Sequence, residues 1–367
     1  MKKIIILGST GSIGKQTLEI IKKDKNKFKI LLLSTDKNIS LISKQIKTFK
    51  VKYIVVTNKK KFRVLKKRFK KIKIFSDFKK IDKELRVKAD YAMSAISGIQ
   101  GLRPTINIIK KTKRIAIANK ESLICGWGII QKELKKHKTE FIPVDSEHFS
   151  IWSVIKDYQK SDIEKIILTA SGGPFLNKKI KKNISPRDAI SHPNWTMGKK
   201  ISVDSATMMN KIFEIIEAKK IFNISLNKFE ILIHPKSYVH AIVKLKNGLI
   251  KIIAHDTDMK IPISNSIYMG DNTKNFAKSK KININILNSL NLQKARIKKF
   301  PVIKILNRIT KKESLFDTVL VSINDELVNL FLENKIKFLD ISSKIWHLIN
   351  SPFFSKFKHQ KPKNLEI

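Results

Sequence analysis

The sequence predicts an α/β protein that begins with a doubly wound parallel sheet. Three observations lead to this prediction: short apolar runs recur along residues 1–145, segments with helical spacing separate them, and a glycine-rich turn follows the first run. Continuous apolar runs are typical of strands buried on both faces, and their alternation with helices is typical of parallel sheets. The predicted strands are 2–8, 28–34, 51–57, 89–96, 113–119 and 139–145.

The pattern changes after residue 145, and a chain of 367 residues is expected to hold more than one domain. Residues 164–173 and 228–235 are predicted strands, and 238–256 is a predicted hairpin that turns at Asn247 and Gly248. They indicate an α+β second domain, while later helical spacing indicates a small C-terminal helical domain. The predicted regions are 1–144, 145–270, an asparagine-rich linker at 271–293, and 294–367.

Composition limits the compartment and the partners. A single cysteine, Cys125, excludes a disulfide framework, and no apolar stretch approaches the roughly 18 residues of a membrane span. The apolar run near the N-terminus is too short for a signal peptide, so a cytoplasmic protein without a membrane partner is expected. The net charge of +46 suggests either a polyanion partner or a compositional drift toward lysine. Because the charge is spread along the chain, drift is favoured and no nucleic-acid partner is predicted.

The first turn resembles a dinucleotide-binding element of a Rossmann-like sheet. Gly8, Gly11 and Gly14 lie between the first predicted strand and a helix predicted over 12–24. Backbone N–H groups at such a turn can hold a pyrophosphate, although an ordinary strand-to-helix turn is the alternative. At the end of the second strand an acid would favour NAD and a base NADP, and Asp36 and Lys37 leave that choice open.

Two carboxylates follow the strand at 139–145. Asp145 and Glu147 are two positions apart, so in extended chain they point to the same side. Hard oxygen ligands of this kind suit Mg²⁺ or Mn²⁺, and the alternative is a pair of acids that cap the next helix. A third carboxylate nearby would be needed to establish the metal-site interpretation.

Three further segments carry candidate binding groups. Residues 117–122 end a predicted strand and include Lys120, which could pair with a substrate anion or simply begin a helix. Residues 169–175 form a glycine-rich turn suited to an oxyanion or phosphate. Residues 190–200 combine turn residues with apolar side chains, which suggests a lid over the site or an ordinary buried loop.

A helix is predicted over 203–222, with Asp204 or Ser205 as its N-cap. One face carries polar side chains, which could bring a phosphate-binding group and a metal ligand together. The alternative is a surface helix. Periodicity alone does not decide whether Glu214 or Glu217 faces a metal.

Six motifs in this order resemble the 1-deoxy-D-xylulose 5-phosphate reductoisomerase family. They are "ILGSTGSIG", "ANKESL", "PVDSEH", "SGGPF", "HPNWTMGKKISVDSATMMNK" and "LIHPKSYVHAIV". The resemblance is strong over residues 1 to about 265, with 192–211 as its most specific stretch, and it is weaker in the tail. It implies NADPH-dependent and Mg²⁺- or Mn²⁺-dependent conversion of 1-deoxy-D-xylulose 5-phosphate into 2-C-methyl-D-erythritol 4-phosphate, and a homodimer.

The resemblance also implies roles for individual residues. The implied NADPH contacts are Thr10, Gly11, Ser12, Ile13, Lys37, Asn38, Asn119, Glu121 and Gly198. The implied metal ligands are Asp145, Glu147 and Glu214. The implied substrate contacts are Lys120, Ser146, Glu147, Ser171, His192, Ser205, Asn210, Lys211 and Glu214. The implied catalytic residues are Lys120, Glu147, His192 and Lys211, and Trp195 and Met197 fall on a flap at 190–200.

Some positions depart from the family pattern. Asp36 replaces a small residue, Ile212 replaces a glycine, and residues 269–272 replace a tryptophan-proline turn. In the tail, "VSIND" at 321–325 differs from an asparagine- and alanine-rich sequence. Two other interpretations of the chain predict different behaviour. A nucleic-acid-binding protein would bind with strong salt dependence and without turnover, and another dehydrogenase of sugar phosphates would not need three carboxylates.

Overall fold

The computed structural model describes residues 1–178, 183–195, 197–269 and 281–365. The chain divides into two compact units. Unit 1 comprises Met1–Asp145 and the segment that begins at Met259, and unit 2 comprises Ser146–Asp258 and the C-terminal segment. No described helix is long and apolar enough to cross a membrane.

Unit 1 is built on a parallel sheet in the order β4-β3-β2-β1-β5-β6-β7. Its strands are β1 (Lys2–Leu7), β2 (Phe28–Thr35), β3 (Tyr53–Val56), β4 (Lys73–Phe75), β5 (Tyr91–Ser94), β6 (Arg114–Ile117) and β7 (Glu140–Pro143). The helices in its first segment, Met1–Asp145, are α1 (Ser12–Lys23), α2 (Ile39–Phe49), α3 (Lys59–Arg68), α4 (Ile81–Glu84), α5 (Leu102–Ile109) and α6 (Lys120–His137). The doubly wound sheet predicted from the sequence is confirmed, with β4 as an unpredicted edge strand.

Unit 2 contains a mixed sheet in the order β11-β10-β8-β9-β12, in which β12 is the short strand Gln293–Lys294. Its elements up to β11 are α7 (Ser146–Ile155), β8 (Ile163–Ala170), α8 (Pro186–Ile190), α9 (Lys199–Thr207), α10 (Met209–Phe222), β9 (Phe229–Ile233), β10 (Val239–Leu245) and β11 (Ile250–Ala254). Strand β10 runs antiparallel to both β8 and β11, and the predicted hairpin turn at Asn247 and Gly248 is present.

Helix α11 (Lys260–Tyr268) returns to unit 1. Its Ile263 and Ile267 join the core cluster of the first sheet, and the hydroxyls of Tyr91 and Ser266 are 2.7 Å apart. The sequence pattern predicts this helix within the region 145–270. Hydrophobic spacing shows that a face is buried and does not show against which sheet, which explains the difference.

The C-terminal part of unit 2 is mostly helical, as predicted. Its elements are α12 (Ile284–Leu287), β12 (Gln293–Lys294), a 3₁₀ helix (Pro301–Arg308), α13 (Phe316–Leu332), α14 (Phe338–Asn350) and α15 (Pro352–Ser355). The predicted linker 271–293 falls partly outside the described residues. Its described part contains α12 and reaches β12, where Gln293 pairs with Ile233.

The helix predicted over 203–222 is two helices. Helix α9 begins at Lys199 with Gly198 as its N-cap, so Asp204 and Ser205 are not N-caps. Met208, with φ of 75°, interrupts the helical path, and α10 starts at the next residue. A methionine in the left-handed region of backbone conformation is uncommon and has no simple sequence signal. The helical spacing therefore predicted one continuous helix.

Candidate active site

The carboxylates predicted as metal ligands lie together. Asp145 directly precedes α7, Glu147 is the second residue of α7, and Glu214 lies on α10. Each offers an oxygen, and these atoms all lie within 4.8 Å of one another. Three carboxylates are the hard, negatively charged donor set that Mg²⁺ and Mn²⁺ prefer, so the residues present fit a divalent cation.

A buried lysine lies among these acids. Lys211 Nζ is 3.1 Å from Glu147 Oε1, and it also contacts Glu214 one turn along α10. Burial raises the pKa of the Glu147 carboxyl, but the Lys211 ammonium and the neighbouring His240 outweigh it and hold that pKa well below its usual range. Glu147 is therefore ionised at neutral pH and available as an anionic ligand.

The structure separates Glu214 from Glu217. Glu214 belongs to the carboxylate group with Asp145 and Glu147. Glu217 is also buried, but its Oε1 lies 3.2 Å from Nδ1 of the buried His148. Helix α10 is thus no surface helix: Lys211, Glu214 and Glu217 are all less than 5% exposed.

The turn after β8 and the flap residue His192 are in direct contact. The Ser171 hydroxyl and His192 Nε2 are 2.9 Å apart, and His192 Nδ1 accepts hydrogen bonds from the backbone N–H groups of Asn194 and Trp195. An accepting Nδ1 implies the Nε2–H tautomer, so Nε2 donates to Ser171. Burial lowers the pKa of His192 to about 4, so the ring is neutral at pH 7.

The turn itself depends on glycine. Gly172 and Gly173 have φ of 81° and 66°, and a Cβ on Gly173 would lie 3.0 Å from the Ser205 carbonyl oxygen. The missing side chain therefore lets the turn approach α9, which carries Ser205 in its last turn. Asn210, in the first turn of α10, donates to Glu214.

The flap contacts a second histidine. Trp195 packs edge-on against His240, with ring centroids 6.2 Å apart, and His240 stacks on His255 at 3.7 Å. His240 Nδ1 lies 3.8 Å from Glu147 Oε1. His240 and His148 are neighbours of the carboxylates that residue spacing does not indicate, although both lie within the motifs of the sequence. Met197 is half-buried, and residue 196 of the flap lies outside the described residues.

In unit 1 the glycines of the predicted cofactor turn pack closely against neighbouring backbone. Gly8 has φ of 74°, a Cβ on Gly8 would lie 2.5 Å from the Ala95 carbonyl oxygen, and one on Gly14 would lie 2.3 Å from the Gly8 carbonyl oxygen. Within the described chain, no side chain caps α1 at Gly11. Backbone N–H groups at an uncapped helix start suit a pyrophosphate, so this turn fits a dinucleotide.

The other predicted cofactor residues of the turn and the second strand have clear local roles. Thr10 Oγ1 is 2.8 Å from Thr35 Oγ1, Ser12 begins α1, and the adjacent Ile13 packs against the core. Asp36 accepts a hydrogen bond from the Thr57 hydroxyl at 2.8 Å. Lys37 is exposed next to it, and Asn38 caps α2 by accepting from the Leu41 N–H.

At the start of α6, Asn119 is a structural side chain. It caps the helix by accepting from the Ser122 N–H at 2.7 Å, and its amide donates to the carbonyls of Ile96 and Gly98. Lys120 Nζ lies 3.3 Å from Asp145 Oδ2, and Glu121 is half-buried beside it. In unit 2, Ser146 donates to Glu147 at 2.6 Å, and Gly198 is exposed.

Comparison with protein families gives consistent matches along the chain. Residues 4–127 match 1-deoxy-D-xylulose 5-phosphate reductoisomerase, 141–222 match the C-terminal domain of that enzyme, and 255–367 match a further C-terminal domain named for DXP reductoisomerase.

Individual relatives and solved structures agree. The chain is 58% identical to the 1-deoxy-D-xylulose 5-phosphate reductoisomerase of Pelagibacter ubique, covering 100% of this chain and 95% of that protein. It is 39% identical to that of Caldanaerobacter subterraneus, covering 94% and 91%. The Zymomonas mobilis enzyme in complex with NADPH superposes with a TM-score of 0.87 at 29% identity, covering 100% and 94%. A reductoisomerase in complex with NADPH, fosmidomycin and magnesium gives 0.88 at 29%, covering 98% and 92%.

The six motifs, the fold of both units and the full-length relatives agree, and the chain belongs to the 1-deoxy-D-xylulose 5-phosphate reductoisomerase family.

Proposed function

We propose that this chain converts 1-deoxy-D-xylulose 5-phosphate into 2-C-methyl-D-erythritol 4-phosphate, a step of isoprenoid biosynthesis. The carbon skeleton first rearranges by retro-aldol cleavage and re-addition without change of composition. The resulting aldehyde then takes a hydride from NADPH and a proton, leaving NADP⁺. The observation that carries this proposal is the group of Asp145, Glu147 and Glu214 in a chain 58% identical, over its full length, to a reductoisomerase.

In this proposal Asp145, Glu147 and Glu214 hold Mg²⁺ or Mn²⁺. When bound, such an ion acts as a Lewis acid and a template for a carbonyl and a neighbouring hydroxyl. Lys211 holds Glu147 and Glu214 in place through its contacts with both, and its charge helps to keep Glu147 ionised. Ser146 donates to Glu147 at 2.6 Å and limits the rotation of that carboxylate.

Two lysines supply positive charge for the reacting oxygens and the phosphate. Lys120 is only 12% exposed in its side chain and already pairs with Asp145, so it can stabilise negative charge that develops on a substrate oxygen. Lys211 is less exposed still, and in a site that excludes water its charge acts with little screening.

A phosphate site is proposed around the Ser171 turn and the two helices α9 and α10. Ser171, Ser205 and Asn210 offer a hydroxyl or amide donor, and Lys211 offers charge. His192 is neutral at pH 7 and donates through Nε2, so it can orient the Ser171 hydroxyl or donate directly to substrate. Trp195 and Met197 would cover the bound substrate and exclude water when the flap closes.

The cofactor site is proposed in unit 1, and Gly198 is proposed as a further NADPH contact. The backbone of Thr10, Gly11, Ser12 and Ile13 would hold the pyrophosphate at the start of α1, where the helix dipole favours an anion. Lys37 and Asn38 would bind the 2′-phosphate. Asn119 would act through the backbone it fixes, and Glu121 would accept from a cofactor hydroxyl.

The decisive experiment is NADPH oxidation by the purified protein with 1-deoxy-D-xylulose 5-phosphate, with and without Mg²⁺ or Mn²⁺. We expect oxidation that needs both the sugar phosphate and the cation. A folded protein that oxidises no NADPH under these conditions would overturn the proposal. The same assay with each cation in turn tests whether Mn²⁺ replaces Mg²⁺.

A homodimer is also proposed, and strand β11 supports it. It lies at the edge of its sheet, and Leu249, Ile250 and Ile252 are each at least half exposed. An open edge strand can pair with its own copy across a two-fold axis, which closes both edges. Sedimentation of the wild type should give a dimer and Ile252→Lys a monomer; a monomeric wild type would contradict the proposal.

We further propose a cytoplasmic location, no nucleic-acid or membrane partner, and, apart from α11, which belongs to unit 1, the domain limits 1–144, 145–270 and 294–367. Fractionation of cells that express the chain tests the location. Titration with duplex DNA at physiological salt tests whether the protein has a nucleic-acid partner. Tight, salt-dependent binding would contradict the proposal that it has none. Limited proteolysis that cuts within 271–293 before other regions would support the linker.

A further inference from the structure

Helix α9 carries Ser205 and, beside it, a carboxylate that is turned into the protein. Asp204 is 2% exposed. Its Oδ1 accepts a hydrogen bond from Asn324 Nδ2 at 2.8 Å, and its Oδ2 lies 3.3 Å from Lys200 Nζ. A buried carboxylate with two polar partners has a fixed orientation, because losing either partner leaves charge or hydrogen-bonding capacity unsatisfied.

Lys200 joins this carboxylate to a second one. Its ammonium lies 2.9 Å from Asp325 Oδ1, and Asn324 and Asp325 are consecutive residues of α13. Lys200 is in the first turn of α9, two residues after Gly198 at the end of the flap. The Lys200 ammonium therefore connects the first turn of α9 with Asp204, one turn further along the same helix, and with Asp325 on α13.

The position of α9 matters to the proposed phosphate site. Ser205 is in the last turn of α9, and the single left-handed residue Met208 joins α9 to α10. Asn210 and Lys211 follow in the first turn of α10. A rotation or slide of α9 would thus move Ser205 directly and, through a one-residue junction, displace the donors of α10.

We propose that Lys200 is a positioning residue for the substrate: with Asp204, Asn324 and Asp325 it fixes α9 against α13, so that Ser205 is oriented before the phosphate binds. This inference rests on the proposed function, because it deepens the role of the same site. Preorganised donors bind an anion without a cost of ordering on arrival, so their loss weakens substrate binding more than cofactor binding.

An ordinary stabilising ion pair is the competing explanation, and the chain offers a matched control. Lys244 and Glu164 form a 2.7 Å pair in the same unit, with side chains 43% and 45% exposed. Exposed pairs of this kind contribute little to stability. Lys244→Met therefore removes a lysine of the same length and charge without touching α9.

The experiment compares Lys200→Met, Asp325→Asn and Lys244→Met in the NADPH oxidation assay. We expect Lys200→Met to raise KM for 1-deoxy-D-xylulose 5-phosphate about tenfold and Asp325→Asn to raise it about threefold. KM for NADPH should change by less than about twofold. Lys200→Arg keeps the positive charge and should retain most of the affinity for the sugar phosphate, and Lys244→Met should have the KM of the wild type. In the double variant Lys200→Met/Asp325→Asn, KM should rise by less than the product of the two single-variant factors.

Two outcomes would overturn the inference. One is a lower thermal midpoint for Lys200→Met with an unchanged KM for the sugar phosphate, which would make the contact purely structural. The other is an equal rise of both KM values. If Lys200→Met does not fold, the isosteric Asp325→Asn carries the same comparison. If the wild type shows no turnover, the proposed function fails, and calorimetry with inorganic phosphate on wild type and Lys200→Met still tests the positioning.

Discussion

Glu214 and Glu217 lie one turn apart on the same buried helix, and their carboxylates meet different partners. Glu214 belongs to the group with Asp145 and Glu147, whereas Glu217 Oε1 lies 3.2 Å from His148 Nδ1. The two acids are equally buried and chemically identical, so their different neighbours give them different roles.

Exchanging each acid for its amide separates these roles. Glu214→Gln removes the charge of a proposed metal ligand and should lower kcat/KM on the order of a thousandfold. Glu217→Gln keeps an acceptor for His148 and should retain most turnover, while the free energy of unfolding falls by about 1–3 kcal/mol. Steady-state kinetics and urea unfolding check both, and the reverse result would show that the assignment of the two acids is wrong.

A divalent cation should stabilise the folded protein even without substrate. A ligand that binds only the folded state stabilises it by about 2.7 kcal/mol at a hundred times its dissociation constant. Mg²⁺ or Mn²⁺ should therefore raise the thermal midpoint of the wild type and EDTA should reverse the rise. Glu214→Gln should show little response, whereas an equal response would argue against a site at these carboxylates.

The contribution of His192 to the stability of the folded protein should decrease at low pH. Burial lowers the pKa of His192 to about 4, whereas an unfolded histidine titrates near about 6.5, so the folded protein holds this proton less tightly. The contribution of the neutral ring to stability is complete above about pH 6.5 and is lost as pH falls through about 4. Protonation at Nδ1 would also break its bonds from the Asn194 and Trp195 N–H groups.

Urea unfolding at a series of pH values checks this. The stability difference between wild type and His192→Gln should be largest near pH 7 and shrink toward pH 4. His255 is present in both proteins, and burial likewise lowers its pKa to about 4, so its effect cancels. A difference that does not vary with pH would contradict the assignment.

Cofactor choice should depend on Asp36 and Lys37. The Asp36 carboxylate, held by the Thr57 hydroxyl at 2.8 Å, places negative charge beside the proposed 2′-phosphate site. Asp36→Gly should lower KM for NADPH about three- to tenfold, and Lys37→Ala should raise it by a similar factor. Neither change should alter KM for NADH as strongly. Equal effects on the two cofactors would mean that these residues do not read the 2′-phosphate.

The glycine turn of unit 1 tolerates no methyl group at Gly14. A Cβ there would lie 2.3 Å from the Gly8 carbonyl oxygen and 2.5 Å from Ser9 Cα, and both are backbone atoms. Gly14→Ala should lower the free energy of unfolding by about 3 kcal/mol. Gly198→Ala is the control, since a Cβ there meets no described heavy atom within 4 Å and should cost less than about 0.5 kcal/mol. Thermal unfolding distinguishes them.

Much of the architecture could be predicted because it is local. Apolar runs such as "KIIIL" are buried strands whatever surrounds them, and the turn at Asn247 and Gly248 follows from backbone preference. Strand β4 escaped prediction because it is a short edge strand within a lysine-rich stretch. The attachment of α11 to unit 1 depends on a contact with Tyr91 about 175 positions earlier, which local spacing does not contain.

The candidate site was harder to predict where burial and charge conflict. Periodicity marked a polar face on α10 but allowed a solvated helix, because nothing local shows that Lys211 is buried. The resemblance to a family selected Glu214 over Glu217, and the break at Met208 explains the register that brings it to Glu147. Asp204, expected as a helix cap, is instead a partner of Asn324.

The one-residue break at Met208 sets the phase between two short helices. Each residue added to or removed from the stretch between Ser205 and Glu214 would turn α10 by about 100° about its axis relative to α9. Substitutions can change individual groups here, but an insertion or deletion would rotate every side chain of α10 out of alignment at once. Among natural variants of this chain, we therefore expect the length of this stretch to be fixed even where its composition changes.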